Sequence, residues 1–414
     1  MCIRDSFSGV TKATFIPHGP AETVQCTQLA IKHALTGERG PVALLYHSAA
    51  LGGRVGPDSV PKLYSIQSYL PTSPPSADPT LVDTAAQTIL SAESPAIIAG
   101  NGVRVSGAYA QLQELAELVA TPVATTAAGK GIFPENHPLF VGVRGDQVNE
   151  YLEKSDLVLA VGSSLSPGRF SHAIPNATSK TIIHCDIDEL HVNKVYPTAV
   201  SLLGDAAFTL EALSQELQAK TKGKGRPAKN VTSEINASID RAMSKYTEPL
   251  SSDDKPINPY RVYSGLMDVL DPHTSFVTHE SGNTRDQLST VYETLIPRGF
   301  LGWGNVSSLG FSLAATLAAK ISFPDRDCVA VTGEAGLGYM LGNLEVALRQ
   351  KLGITVVHVS NGGFSGYGPG FWGDGHDPYT HEVVGHDEID MSKVIGDMGY
   401  YTERVTEPSE VSDA

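Results

Sequence analysis

The chain has 414 residues, of which 41% are apolar and 18% charged, and its net charge is -15. That length allows two or three domains with real cores, and the composition is globular rather than disordered or fibrous. The acidic balance excludes an extended nucleic-acid surface, which needs clustered Lys and Arg.

The first clear elements are a helix over 22–35 and a buried strand over 40–46, which read as half an α/β unit without a sheet of its own. A loop rich in Gly, Pro and Ser follows over 51–79. Residues 80–215 alternate. Helices are expected at 81–92, 108–119, 150–154 and 206–217, with strands at 95–99, 122–125, 157–161 and 180–186. Alternation of this kind predicts a doubly wound parallel sheet. Residues 218–257 read as a linker, basic at 220–226 and carrying an amphipathic helix near 234–245. From 258 to 414 a second α/β alternation has strands at 275–278, 328–332 and 354–359. The fold class is therefore α/β: two doubly wound parallel-sheet domains in tandem, with a partial third α/β unit at the N-terminus. No apolar run approaches the roughly 20 residues of a membrane span. No secretory signal opens the chain. Cys2, Cys26, Cys185 and Cys328 are far apart and form no CxxC pair, so a reducing, cytoplasmic location is expected.

Several motifs have competing readings. Gly100-Asn101-Gly102 stands between a strand and a helix, but Val105 occupies the place of a third glycine, which favours a tight structural turn over a dinucleotide site. Asp186 and Asp188 close a strand and read more readily as solvated caps than as ribose ligands. Residues 162–169, ending in Arg169, suit a nucleotide pocket and an ordinary loop equally. His376, His381 and His386 have no spacing that suits a metal trio on one helix face.

The strongest signal is the segment 333–363. An apolar strand stops at Gly333-Glu334-Ala335-Gly336, a helix follows, and a second apolar strand ends at Asn361-Gly362-Gly363. In a parallel sheet both strand ends open on one crevice. The Glu334 carboxylate, the Asn361 amide oxygen and the Gly363 carbonyl then form half of the oxygen shell that Mg2+ prefers, leaving the rest to phosphate and water. Gly333, Ala335 and Gly336 let main-chain amides approach a diphosphate.

On these residues the chain resembles the thiamine-diphosphate-dependent enzymes of the acetolactate synthase/pyruvate decarboxylase superfamily, whose pattern is Gly-Asp-Gly followed by a distant Asn. Gly282-Asn283-Thr284 falls where the family contacts the diphosphate. Ser308-Leu309-Gly310-Phe311 falls where an apolar wedge bends the cofactor, which would be Leu309. Residues 97–102, 125–138 and 183–188 look like the family's central domain. The resemblance implies thiamine diphosphate and Mg2+ as cofactors, with FAD in the central domain as an open alternative. It implies decarboxylation or carboligation of a 2-oxo acid or aldehyde, with no nucleic-acid or membrane partner, and a homodimer or homotetramer in the full-length protein. Residues 1–50 would be the tail of a pyrimidine-binding domain, 80–217 the central domain and 258–414 the diphosphate-binding domain. The family's activating glutamate would lie upstream of Met1, so no catalytic residue is assigned, and the chain reads as a fragment inactive alone. Trp303, Tyr367, Trp372 and His376 are candidates for substrate contact, the last three in a Gly- and aromatic-rich stretch over 364–381 that suits a lid. Two departures stand out. Glu334 replaces the usual Asp and is longer by about 1.5 Å. Ala335 replaces Gly and would be strained if that position needs a positive φ. The competing reading is a noncatalytic nucleotide-binding protein that uses only the central domain.

Overall fold

The computed structural model describes residues 3–57, 61–70, 73–166, 172–226, 231–302, 307–360 and 389–414. It divides into two compact units: one comprises Met1–Ala77 with Ile187–Leu190 and Leu203–Asp205, and the other Asp78–Asp186, His191–Leu202 and Ala206–Ala414. Among the described residues no helix is long and apolar enough to cross a membrane.

In the first unit, strand β1 (Ala13–Phe15) pairs in parallel with β2 (Val42–Leu44), and the Pro20–Leu35 helix joins them. Pro20 opens that helix where a missing N–H costs nothing. The unit thus has a two-stranded sheet, which corrects the expectation of a half unit without one. Three residues are too few to show strand alternation, so β1 becomes visible only through its partner.

The second unit carries two parallel sheets. The first has six strands in the order β5-β4-β3-β6-β7-β8: β3 (Pro95–Ala99), β4 (Val123–Thr125), β5 (Phe140–Gly142), β6 (Leu157–Val161), β7 (Thr181–Asp186) and β8 (Val200–Leu203). Its central strands β3 and β6 are buried at every residue. Continuous apolar runs such as Pro-Ala-Ile-Ile-Ala are what a parallel sheet covered on both faces requires. The Pro79–Ser91 helix shows the matching logic. Asp78 caps it by accepting from Thr80 N–H at 2.7 Å, and Val82, Ala85, Ala86 and Ile89 form one buried stripe. Strands β5 and β8, at the two edges, were not expected, because each is short.

The second sheet has the order β10-β9-β11-β12: β9 (Ser275–His279), β10 (Phe300–Leu301), β11 (Asp327–Thr332) and β12 (Thr355–His358), all parallel. Its two faces have separate cores. Val277, Val329 and Val331 pack with Tyr263, Leu288 and Val291 on one face. Phe276 and Cys328 pack with Ala319, and Val356 packs with Leu313, Leu317, Leu344 and Ala347, on the other. The doubly wound α/β class is thereby seen in both sheets.

Within this unit a buried ion pair links the two sheet regions. Lys130 Nζ lies 2.5 Å from Glu135 Oε2, with side chains only 1% and 6% exposed. The same carboxylate oxygen accepts from Thr294 N–H at 3.0 Å, and Lys130 stands 5.2 Å from the centre of the Phe300 ring. Burial pushes the Glu135 carboxyl up, and Lys130 pulls it back. Removing one partner strands a buried charge, which costs far more than the pair is worth. Lys130→Met is therefore expected to lower stability by about 3–5 kcal/mol. Lys130→Met with Glu135→Leu should recover most of that loss. Urea unfolding of the single and double variants checks this, and equal losses in both would contradict it.

Candidate functional site

Register decides where the second sheet presents its chemistry. Val331 pairs with His279 and Thr332 with His358, so β9, β11 and β12 end side by side. Two further bonds extend the alignment by one residue: Glu280 N–H to the Val331 carbonyl at 2.8 Å and Val359 N–H to the Thr332 carbonyl at 2.9 Å. From β9 the chain passes through the Asn283–Val291 helix to β10 on one side. It then returns to β11 and continues through Glu334–Met340 and Leu344–Gln350 to β12 on the other side. The helices sit on opposite faces, since Leu288 and Val291 join one core and Leu344 and Ala347 the other. The carboxyl ends of β9 and β11 therefore flank a topological switch point, where open α/β sheets bind ligands.

Three turns surround that point. The turn after β9 holds Gly282, Asn283 and Thr284. Gly282 has φ +110, and a Cβ there would meet nothing within 4 Å. It is the N-cap of the Asn283–Val291 helix. Thr284 turns its hydroxyl back to the Glu280 carbonyl at 3.1 Å, so its contribution to a ligand would come from the main chain. The turn after β11 holds Gly333, Glu334, Ala335 and Gly336. Gly333 is the N-cap of the Glu334–Met340 helix, again with open space where a Cβ would be. Ala335 lies inside that helix and is not among the residues with positive φ, so the feared strain is absent. The third turn precedes the Phe311–Ser322 helix and holds Ser308 and Leu309, the latter 38% exposed. Ser307 Oγ hydrogen-bonds Ser281 Oγ, which ties this turn to the first. Two glycine N-caps leave first-turn N–H groups uncovered by capping side chains, a setting that suits a diphosphate. Asn361, Gly363, Trp303, Tyr367, Trp372 and His376 lie outside the described residues.

Three polar residues that the sequence reading passed over line the same strand ends. Glu280 is 1% exposed and accepts from Ser281 N–H at 2.8 Å, Gly310 N–H at 3.1 Å, Ser312 N–H at 3.3 Å and Ser312 Oγ at 2.8 Å. His279 is buried beside Phe300, its Nδ1 3.0 Å from the Glu280 carbonyl. Burial brings its pKa down to about 4. His358 closes β12. Burial lowers its pKa, and the nearby Glu334 carboxylate works against that shift. Among the described residues its Nε2 has no hydrogen-bond partner. An acid or histidine on the last residues of an otherwise apolar strand was the one available signal for all three.

The first sheet's strand ends look different. A Cβ on Gly100 would lie 2.4 Å from the Gly162 carbonyl oxygen, and one on Gly102 would lie 2.5 Å from Gly162 Cα. Those glycines allow two backbones to touch, as a structural turn requires. Asp186 is nearly buried and lies 3.2 Å from His191 Nδ1. Asp188 accepts from Leu190 N–H at 3.0 Å, as a cap. Arg169 lies outside the described residues.

Comparison with known proteins settles the family. Residues 82–213 match the thiamine pyrophosphate enzyme central domain, and residues 280–414 match the thiamine pyrophosphate enzyme C-terminal TPP binding domain. The chain belongs to the thiamine-diphosphate-dependent enzyme family. It is 30% identical over 367 residues to a probable acetolactate synthase large subunit of Methanocaldococcus jannaschii, covering 85% of this chain and 59% of that protein. It is 25% identical to the acetolactate synthase isozyme 3 large subunit of Escherichia coli, over 85% of this chain and 61% of that protein. It is 26% identical to oxalyl-CoA decarboxylase of Escherichia coli, over 88% of this chain and 63% of that protein. The chain thus spans about three fifths of the length of these relatives. The C-terminal TPP-binding match begins at Glu280, the residue on which the three turns converge.

His279 is expected to make this sheet sensitive to acid. Its ordinary pKa is 6.5 and its folded value about 4, so the unfolded chain takes up the proton first as pH falls. The contribution is whole above pH 6.5 and is lost as pH falls towards 4. The loss amounts to about 3 kcal/mol at most. His279→Gln is expected to flatten the stability-pH curve in that window by up to one proton. Chemical denaturation at a series of pH values measures it, and an unchanged slope would count against the assignment.

Proposed function

We propose that this chain carries the diphosphate-anchoring half of a thiamine-diphosphate- and Mg2+-dependent enzyme that decarboxylates or carboligates a 2-oxo acid. The carrying observation is the switch point itself. Two glycine-capped helix N-termini, the second with Glu334 as its first residue, follow the neighbouring strands β9 and β11 inside the segment matched by the TPP-binding domain. Gly282, Asn283, Gly333, Ala335 and Gly336 would receive the diphosphate oxygens through main-chain N–H groups, with Ser308 and Thr284 bordering them. Glu334 would supply the carboxylate of a Mg2+ shell, with Asn361 and the Gly363 carbonyl as its expected partners. Leu309, half-exposed at the rim, would support the cofactor between its two rings. When bound, thiamine diphosphate supplies the electron sink that decarboxylation of a 2-oxo acid needs. Protein dipoles and a closed, dry crevice would then serve that chemistry.

Acetolactate synthase and oxalyl-CoA decarboxylase among the relatives support a 2-oxo or acyl substrate, and both carboligation and decarboxylation are consistent with them. Trp303, Tyr367, Trp372 and His376 remain the proposed substrate contacts. We assign residues 1–50 to the tail of a pyrimidine-binding domain, 80–217 to the central domain, 218–257 to a linker and 258–414 to the diphosphate-binding domain. A cytoplasmic homodimer or homotetramer is the proposed setting. The activating carboxylate is assigned to no residue here, and this chain is proposed to be inactive by itself. The tight packing around Gly100, Gly102 and Gly162 gives those glycines a structural reason, so FAD is kept only as a proposal for the central domain.

Isothermal titration with thiamine diphosphate, with and without Mg2+, tests the reading. Mg2+-dependent binding is expected, and Glu334→Ala should weaken it by at least about tenfold, since one charged ligand of a hard cation is lost. Binding of ADP or flavin with none of thiamine diphosphate would overturn it.

A further inference from the structure

The switch-point crevice has a feature that cofactor contacts do not explain. Glu280 is the residue immediately after β9, and its side chain turns away from the face that holds His279, towards the Phe311–Ser322 helix. Its carboxylate is 1% exposed, a costly place for such a group unless every oxygen is satisfied. It is satisfied from two directions. One oxygen accepts from Ser281 N–H and Gly310 N–H, and the other from Ser312 N–H and Oγ. A third element closes on it without a hydrogen bond. A Cβ on Gly336 would lie 2.3 Å from Glu280 Cγ and 2.5 Å from Oε2, so the turn after β11 rests its bare Cα against the carboxylate.

We propose that Glu280 is the positioning residue of the cofactor crevice, holding the turns at 281–284, 307–312 and 333–336 in one fixed arrangement. This rests on the reading given under Proposed function. The Gly310 N–H belongs to the Leu309–Gly310 peptide, so the bond from it sets where Leu309 stands. Gly310 needs its φ of +86, and a Cβ there would lie 2.4 Å from Met340 Cγ, so the same peptide is also pressed against the Glu334–Met340 helix. Gly336 lies two residues beyond Glu334, so its seat on the carboxylate sets the height of the proposed metal ligand. Glu280 also accepts the Ser312 N–H in the first turn of the Phe311–Ser322 helix. The residue acts through these neighbours, since both of its oxygens are taken up by protein donors.

The chemistry makes a sharp test possible. Every partner named above is a donor, and each oxygen has at least two. In Glu280→Gln the shape is kept, but whichever position the amide NH2 takes, it faces N–H groups. The test compares the full chain with Glu280→Gln, Glu280→Ala, Gly336→Ala and the double variant Glu280→Ala/Gly336→Ala. Hydrogen exchange by mass spectrometry follows residues 307–312 and 333–337, and titration with thiamine diphosphate and Mg2+ follows affinity. Far-UV circular dichroism confirms folding. For Glu280→Gln we expect exchange in both segments faster by about tenfold or more, and affinity weaker by a similar factor. Gly336→Ala should weaken binding in the presence of Glu280 and cost little in the Glu280→Ala background, because its methyl group then enters the space the carboxylate left. A merely structural loss would show no such rescue. Unchanged exchange, unchanged affinity, or a Gly336→Ala penalty that simply adds would each overturn the proposal. Failure of the unsubstituted chain to bind thiamine diphosphate would strike the functional reading instead, and the exchange comparison would then decide the role of Glu280 alone. Should Glu280→Gln not fold, the Gly336→Ala comparison decides it.

Discussion

The site depends on the parallel register that sets β11 between β9 and β12. Two main-chain hydrogen bonds just past the strands, from Glu280 to Val331 and from Val359 to Thr332, keep the three strand ends level. A parallel pair has evenly spaced bonds and one register compatible with two buried faces, because a slip by one residue would turn the Val329 and Val331 side chains to the wrong core. The crevice is thus a consequence of core packing. The valines on one face and Phe276, Cys328 and Val356 on the other hold the turns where their backbones can meet a ligand.

Two of the carboxylates buried in this unit are handled differently. Glu135 is paired with a cation, and burial still pushes its proton affinity up. Glu280 is instead surrounded by main-chain and hydroxyl donors. The first arrangement ties regions distant in sequence, since Lys130 and Glu135 meet Thr294 and Phe300. The second organises turns around one point. Both follow from the same rule: a buried charge needs compensating partners, and the groups that supply them are thereby held in place.

Much of this was readable from residue order. Fully apolar runs of five residues at 95–99 and 157–161, set in an alternation with helical segments, read as covered parallel strands, and the structure has them there. The Gly333-Glu334 turn announced itself because a glycine-rich break with an acid followed an apolar strand. The short strands β1, β5, β8 and β10 were not readable, since two to four residues carry no periodicity and are strands only by virtue of a neighbour. Residue order leaves Ala335 conditional: it would be strained only at a positive φ, and the structure places it in a helix without one.

Sequence by itself determined the α/β class, the place of the glycine-rich turn after β11 and the family to which these motifs belong, because each depends on local pattern and on residue types at short spacing. Only the tertiary structure decided that β9 and β11 are neighbours flanking the switch point, that Gly100 and Gly102 serve backbone packing, and that Glu280 joins three turns separated by up to 56 positions in the chain, from Glu280 to Gly336. The physical reason is that a hydrogen bond or a close contact between distant residues has no local signature. Glu280 looks like any strand-end acid until the Gly310 and Ser312 amides and the bare Cα of Gly336 are brought against it.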